Sequence, residues 1–272
     1  MFILERFIGY HIDKRFENFS GIHTKESFEK SLLNESSEWY YRDKIITYER
    51  NELGHRSKSI DQIDLDNYLL FTGCSFTEGI GNLLEDTYPY LVSQKNNIDY
   101  YNLGLGGSGI DAMFFNLIQW ISHVPKKPKA LIVQWPNIAR FLSFRPHLKE
   151  AVTQQSHNNF LAVHDLMVGN KNVSVESNGI WSKLDDVEKF LVLGESPDVN
   201  YFSSRKYFIS LMIRSLFKEI PIIFISLGER DLDFDLEFLI KDRACDNSHP
   251  GVKSNQILSD DLSILLKSKG II

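Results

Sequence analysis

The sequence predicts an α/β fold built on a mostly parallel sheet. Short apolar runs alternate with longer stretches whose apolar residues recur at helical spacing. The runs Tyr68–Thr72, Lys129–Gln134 and Pro221–Leu227 are largely apolar, as strands covered on both faces must be. With 272 residues, 43% of them hydrophobic, the chain can bury a core of that kind.

Taken in order, residues 1–64 read as an N-terminal extension packed on the core. Leu4, Phe7, Ile8, Ile12, Phe16 and Phe19 lie near helical spacing and predict a helix or two. Trp39-Tyr40-Tyr41 is either a strand or the lining of a site. Residues 65–272 form the α/β domain. Its first strand is Tyr68–Thr72, and Ser75 opens a helix or tight turn. Asp99–Leu103 is the second strand. Asp111–Ser122 is a helix with Met113, Phe114, Leu117, Ile118 and Ile121 on one side, ended by Pro125 and Pro128. Lys129–Gln134 is the third strand. Asp198–Lys218 is a long helix, with Phe202, Tyr207, Phe208, Leu211, Met212, Leu216 and Phe217 as its apolar residues. Pro221–Leu227 is a further strand, and 251–267 the last helix. An insertion at about 143–197 breaks the alternation. It is rich in Gly and Asn and is expected to lie over the functional face as a lid or substrate determinant.

Composition excludes several classes. The formal charge is −6 and the basic residues are scattered, so no stripe suits nucleic acid. The first residues, Met1 to Arg6, meet charge at once and lack the apolar core of a signal peptide. No apolar run is long enough to span a bilayer. Two cysteines, Cys74 and Cys245, make no disulfide framework and suit a reducing compartment, so a cytoplasmic location is expected. Both flank candidate site residues. A metal half-site of Cys74, Cys245 and His249 is conceivable, but no Cys-x-x-Cys or His-x-x-x-His accompanies it.

Two distant segments carry chemistry. Gly73-Cys74-Ser75-Phe76-Thr77-Glu78-Gly79 follows the first strand, and Asp246-Asn247-Ser248-His249-Pro250 lies near the C-terminus. A serine hydroxyl is a weak nucleophile and needs a base. His249 can take its proton, and Asp246 can hold the other ring nitrogen and fix the tautomer. Pro250 stiffens that loop. Ser75, Gly107 and Asn137 each follow the end of a predicted strand, where open parallel sheets bind ligands. Each also has a plainer use: Ser75 as a helix cap, Asp246 and Asn137 as turn residues, His249 as a surface histidine. The other histidines (His11, His23, His55, His123, His147, His157, His164) lack such a partner pattern and read as structural or solvated.

These segments resemble the Ser-Gly-Asn-His (SGNH, GDSL-type) hydrolases, in four blocks that keep the family's order. Gly-Cys-Ser-Phe-Thr stands where many members have Gly-Asp-Ser. Asn102-Leu103-Gly104-Leu105-Gly106-Gly107 resembles the second block. Gln134-Trp135-Pro136-Asn137 resembles the third, with Trp135 for the usual glycine and Ile138 for the usual Asp. Asp246 to Pro250 is similar to the fourth, and Asn51–Arg56 resembles a segment that precedes the serine block in some bacterial relatives. The resemblance implies a three-layer α/β/α sandwich of flavodoxin-like type. It implies a serine esterase with Ser75, Asp246 and His249 as catalytic residues, and an oxyanion hole of the Ser75 N–H, the Gly107 N–H and the Asn137 amide. It implies a small-molecule or carbohydrate ester as substrate, and no metal or organic cofactor; the bulk of Phe76 and Trp135, expected beside the site, points to a small acyl group. Acyl transfer to another alcohol, or a non-catalytic binding or assembly role, would use the same scaffold.

Gly104-x-Gly106-x-x-Gly109 also matches a dinucleotide fingerprint. The strand that follows ends Gln134-Trp135-Pro136-Asn137, without the acidic residue that would hold a ribose. No P-loop is present.

Overall fold

A computed structural model describes residues 7–10, 14–21, 23–136, 141–144, 160–163, 199–227 and 234–272. In the N-terminal part, β1 (Phe16–Glu17) pairs antiparallel with β2 (Tyr48–Glu49), with helix α1 (Lys25–Asn34) between them in sequence. Helix α1 starts where a reciprocal cap forms: Ser27 N–H donates to Thr24 Oγ1, and Thr24 N–H to Ser27 Oγ. The helix expected from the apolar spacing of residues 4–19 is not found over the described part of that stretch. The backbone there is satisfied from outside: Ile8 N–H donates to Asn116 Oδ1 and Tyr10 N–H to the Gly54 carbonyl. Phe7 instead packs into the main core against Trp120.

The α/β part runs β3 (Tyr68–Thr72), the single-turn α2 (Ser75–Glu78), α3 (Tyr88–Asn96), β4 (Asp99–Asn102), α4 (Ile110–His123) and β5 (Ala130–Gln134). An antiparallel pair follows, β6 (Phe141–Phe144) and β7 (Phe160–Val163), then α5 (Val199–Leu216), β8 (Ile222–Ser226), β9 (Leu236–Glu237) and α6 (Val252–Ser268). The main sheet is parallel throughout, in the order β4-β3-β5-β8-β9. Most of the expected insertion at 143–197 lies outside the described residues.

Alternation along each strand sorts the core into two layers. Tyr68, Leu70, Tyr101, Leu131, Val133 and Phe224 face Ile110, Met113, Leu117 and Trp120 of α4 and Ile209 and Ile213 of α5. Leu69, Phe71, Tyr100, Ile132, Ile223 and Ile225 face Tyr88 and Val92 of α3 and Leu258, Leu262 and Leu266 of α6. Two helices therefore cover each face of a doubly wound sheet, as the three-layer expectation has it. Two helix faces differ from expectation. In α4 the buried stripe runs Ile110, Met113, Leu117, Trp120, which leaves Ile118 and Ile121 exposed. In α5 it runs Ile209, Ile213 and continues at Phe217 just past the helix end, so Tyr207, Phe208, Leu211, Met212 and Leu216 point outward.

Candidate active site

The chain leaves β3 and turns into α2 under a clamp from β5. Gln134, the last residue of β5, is fully buried. Its Oε1 accepts from the Cys74 N–H (3.2 Å) and from the Thr77 hydroxyl (3.0 Å). Ser75 is the first residue of α2 and is 7% exposed. Its N–H finds no acceptor among the described residues, as expected at a helix start.

The turn after β4 packs against the same helix. Asn102 Nδ2 donates to the Thr77 carbonyl (2.7 Å), and Asn102 Oδ1 accepts from the Gly104 N–H (2.9 Å). Gly104 lies so close to α2 that a Cβ would sit 2.8 Å from both Glu78 N and Thr77 Cβ. Gly107 has φ +77°, the left-handed region. Ser108 Oγ donates to the Gly73 carbonyl (2.9 Å), tying the two turns together. The Gly107 N–H has no acceptor among the described residues. Two backbone donors, at Ser75 and Gly107, thus remain free on turns bonded to each other. Asn137 lies outside the described residues. Of the glycines in the dinucleotide-like pattern, Gly104 and Gly106 lie against α2 and Gly109 caps α4, and the strand before them, β4, is the edge of its sheet.

Asp246 and His249 form a bonded pair. The carboxylate Oδ2 lies 2.5 Å from His249 Nδ1, while Oδ1 accepts the backbone N–H groups of Ser248 and His249, each at 3.0 Å. Burial disfavours the Asp246 charge, but the hydrogen bond and charge of His249 and the two N–H groups outweigh it. The carboxyl is held below its ordinary range. The loop docks on the segment after α2: Cys245 N–H donates to the Gly81 carbonyl (3.1 Å) and Asn82 Nδ2 to the Pro250 carbonyl (2.9 Å). His249 is 6% exposed, and its ring meets Phe76, the neighbour of Ser75, edge-to-face at 5.4 Å between centroids. Among the described residues no hydrogen bond joins Ser75 to His249.

Other sequence expectations take a definite place. His23 and His55 are buried, bonded to the Tyr48 and Tyr101 hydroxyls respectively. Trp135 does not sit beside Ser75 as a wall: it is 3% exposed and stacks on Phe224 in the core. Tyr41 lies in no strand; its hydroxyl donates to Asn82 Oδ1. With Trp39 and Tyr40 it lines a cleft of about 500 Å³ that is bordered by Asn247. Cys74 Sγ contacts Gln134 Oε1, and Cys245 packs among Tyr41, Ile46 and Tyr48. Burial, reinforced by the Asp246 charge, pushes the Cys245 thiol up and keeps it protonated. Among the described residues no group of three or more His, Cys, Asp or Glu is arranged to hold a metal, and the conceivable cysteine–histidine half-site is not assembled. No helix among the described residues is long and apolar enough to cross a membrane.

Gln134, Glu78, Arg50 and Tyr10 had no place in the expected site. Glu78 and Arg50 are fully buried and paired at 3.0 Å. Nothing in the sequence marks either charge as buried. The one available signal is that Glu78 falls three residues after Ser75, on the same short helix.

The molecule is an open doubly wound α/β protein with flavodoxin-like strand order. The serine, the two free N–H groups and the imidazole–carboxylate pair lie at the C-terminal end of its sheet. Among solved structures the chain is similar to an acetyl xylan esterase, Est2A, from Butyrivibrio proteoclasticus (14% identity, 76% of this chain and 65% of that one, TM-score 0.43). It is also similar to a G-D-S-L family lipolytic protein from Desulfitobacterium hafniense (14% identity, 74% and 99%, TM-score 0.35). A third is a family two carbohydrate esterase from Clostridium thermocellum (11% identity, 77% and 66%, TM-score 0.43). No family model matches the chain. No curated protein matches it either. Likeness at this level leaves the chemistry of the chain to its own residues.

Proposed function

We propose that this chain is a serine esterase of the SGNH type that cleaves a carboxylic ester through an acyl-enzyme. The observation that carries the reading is the Asp246–His249 pair, docked where its imidazole meets Phe76, one residue from the serine hydroxyl. Ser75 Oγ attacks the ester carbon while its proton passes to His249 Nε2, the nitrogen left free by the Asp246 bond. The carbonyl oxygen becomes an oxyanion, met by the unengaged N–H groups of Ser75 and Gly107. Family resemblance adds the Asn137 amide as a third donor. Collapse of the intermediate breaks the bond to the leaving alcohol, which takes the proton from Nε2. Water then repeats the sequence on the acyl-serine and releases the acid. None of these steps calls for a metal or an organic cofactor.

The substrate proposed is a small acyl group on a carbohydrate. Phe76 packs against both His249 and Phe238, which narrows the space beside the nucleophile. The cleft bordered by Asn247 offers the rings of Trp39 and Tyr40 to a sugar face. The test is hydrolysis of p-nitrophenyl acetate, butyrate and octanoate across pH. Turnover should favour acetate and fall on the acid side as the imidazole takes up a proton. Equal turnover by the Ser75→Ala protein, or a flat pH profile, would remove the reading.

A further inference from the structure

We infer that Glu78 is a positioning residue: its carboxylate fixes the Leu105–Gly106 peptide, which leads directly into the Gly107 donor, relative to Ser75. Residues of the N-terminal part fix that carboxylate in turn. The inference rests on the proposed hydrolase reading and names the part that aligns one of its donors.

Glu78 closes the helix that Ser75 opens, so its side chain is carried by the same rigid turn as the nucleophile. The carboxylate is fully buried and accepts from two sides. Oε2 takes the Gly106 N–H at 2.6 Å and the Tyr10 hydroxyl at 3.1 Å. Oε1 takes Arg50 Nη2 at 3.0 Å and Nε at 3.4 Å. Arg50 is held by the Ser20 hydroxyl (2.6 Å), the Lys14 carbonyl (2.8 Å) and the face of Tyr10 (3.7 Å to the ring centroid). A buried carboxylate with four donors on it is stiff, and its charge shortens the bonds it accepts. The bond to Gly106 fixes the Leu105–Gly106 peptide plane, one peptide before the Gly107 N–H, and the left-handed φ of +77° at Gly107 turns the chain on toward Ser108. Ser108, bonded to the Gly73 carbonyl, holds the other side. Gly107 therefore presents its N–H on a turn braced from both ends, one brace coming from the nucleophile's own helix. A carboxylate has no proton to give the oxyanion, so the role is to position and not to donate.

Glu78→Gln is the informative change. A carboxamide has one acceptor oxygen where Arg50 and Gly106 each need one, so one donor is orphaned at little change in shape. The experiment pairs two readouts on the full chain. One is deuterium exchange of the peptide spanning Gly104–Ser108. The other is the rate at which a fluorophosphonate labels Ser75. The expected result is tenfold or more faster exchange, together with labelling slowed by about 10- to 100-fold, a step below the 10²–10³ typical of losing a donor outright. For p-nitrophenyl acetate the loss should fall in kcat, with KM unchanged. Tyr10→Phe removes one of the four bonds and should shift both readouts the same way but less. It keeps the test open should Glu78→Gln fail to fold. Unchanged exchange overturns the inference, as does faster exchange with labelling at the wild-type rate. If Ser75 is not labelled in the wild-type protein while exchange still responds, the hydrolase reading falls, and the catalytic purpose of the brace with it.

Discussion

In the proposed reaction Ser75 and His249 divide one proton-transfer task, so losing either should be equally severe. Ser75→Ala and His249→Gln should each lower turnover by about 10⁴–10⁶, with the double variant no worse. Steady-state kinetics on p-nitrophenyl acetate reads this, and additive losses would contradict it. Asp246→Asn has a sharper expectation. Oδ1 is held by the N–H groups of Ser248 and His249, so an asparagine keeps its oxygen there and turns its NH₂ toward His249 Nδ1. The ring proton then moves to Nε2, the wrong tautomer for a base. Turnover should drop by about 10³–10⁴ with the fold intact. An active Asp246→Asn protein would show that the bond at Nδ1 does not set the tautomer. Ser75, Asp246 and His249 were legible as candidates because each is a chemically demanding residue in a spaced pattern. Glu78 and Arg50 were not, because a charge buried by its partner looks the same in sequence as one in water.

At the scale of elements, the packing of turn on helix decides how Gly107 and Ser75 face each other. Gly104→Ala would press a methyl against the backbone of Glu78 and the side chain of Thr77, 2.8 Å away, with nothing flexible to yield. It should cost about 1–3 kcal/mol in urea denaturation. A neutral effect would show that the β4 turn can lift off α2. Gln134→Ala should cost about the same, since the Cys74 N–H and the Thr77 hydroxyl lose a buried acceptor. Strands β3, β4, β5 and β8 were legible because strands covered on both faces leave unbroken apolar or aromatic runs. Helix α3 was not: its buried residues Tyr88, Pro89, Val92 and Ser93 mix polar with apolar and carry a proline, so no stripe stands out. The outward residues of α4 and α5 misled for the opposite reason. In α5 the outward apolar side chains outnumber the buried stripe, and in α4 Ile118 and Ile121 flank it, so spacing alone does not say which set meets the sheet.

Across the whole molecule, the N-terminal part and the α/β part share buried polar bonds, and this links stability to pH. His55, fully buried between the Ile8 carbonyl and the Tyr101 hydroxyl, has its pKa lowered to about 4 by burial, and burial lowers His23 to about 4 as well. A base with a folded pKa below its unfolded one binds its proton first in the unfolded chain. Its stabilisation is full above about pH 6.5 and is lost as pH falls toward 4. His55 alone should remove about 2 kcal/mol between pH 7 and 5, and His23 adds in the same direction. Urea unfolding at the two pH values measures the loss, and a His55→Gln protein should lose less. Equal losses would contradict the assignment.

Whether the hydroxyl of Ser75 is a nucleophile served by His249 is read by mapping the adduct that a fluorophosphonate leaves on the protein. The expected product is a single phosphonylated peptide spanning Gly73–Gly79, modified at Ser75 and absent from the His249→Gln protein. No adduct, or one on another residue, would contradict it.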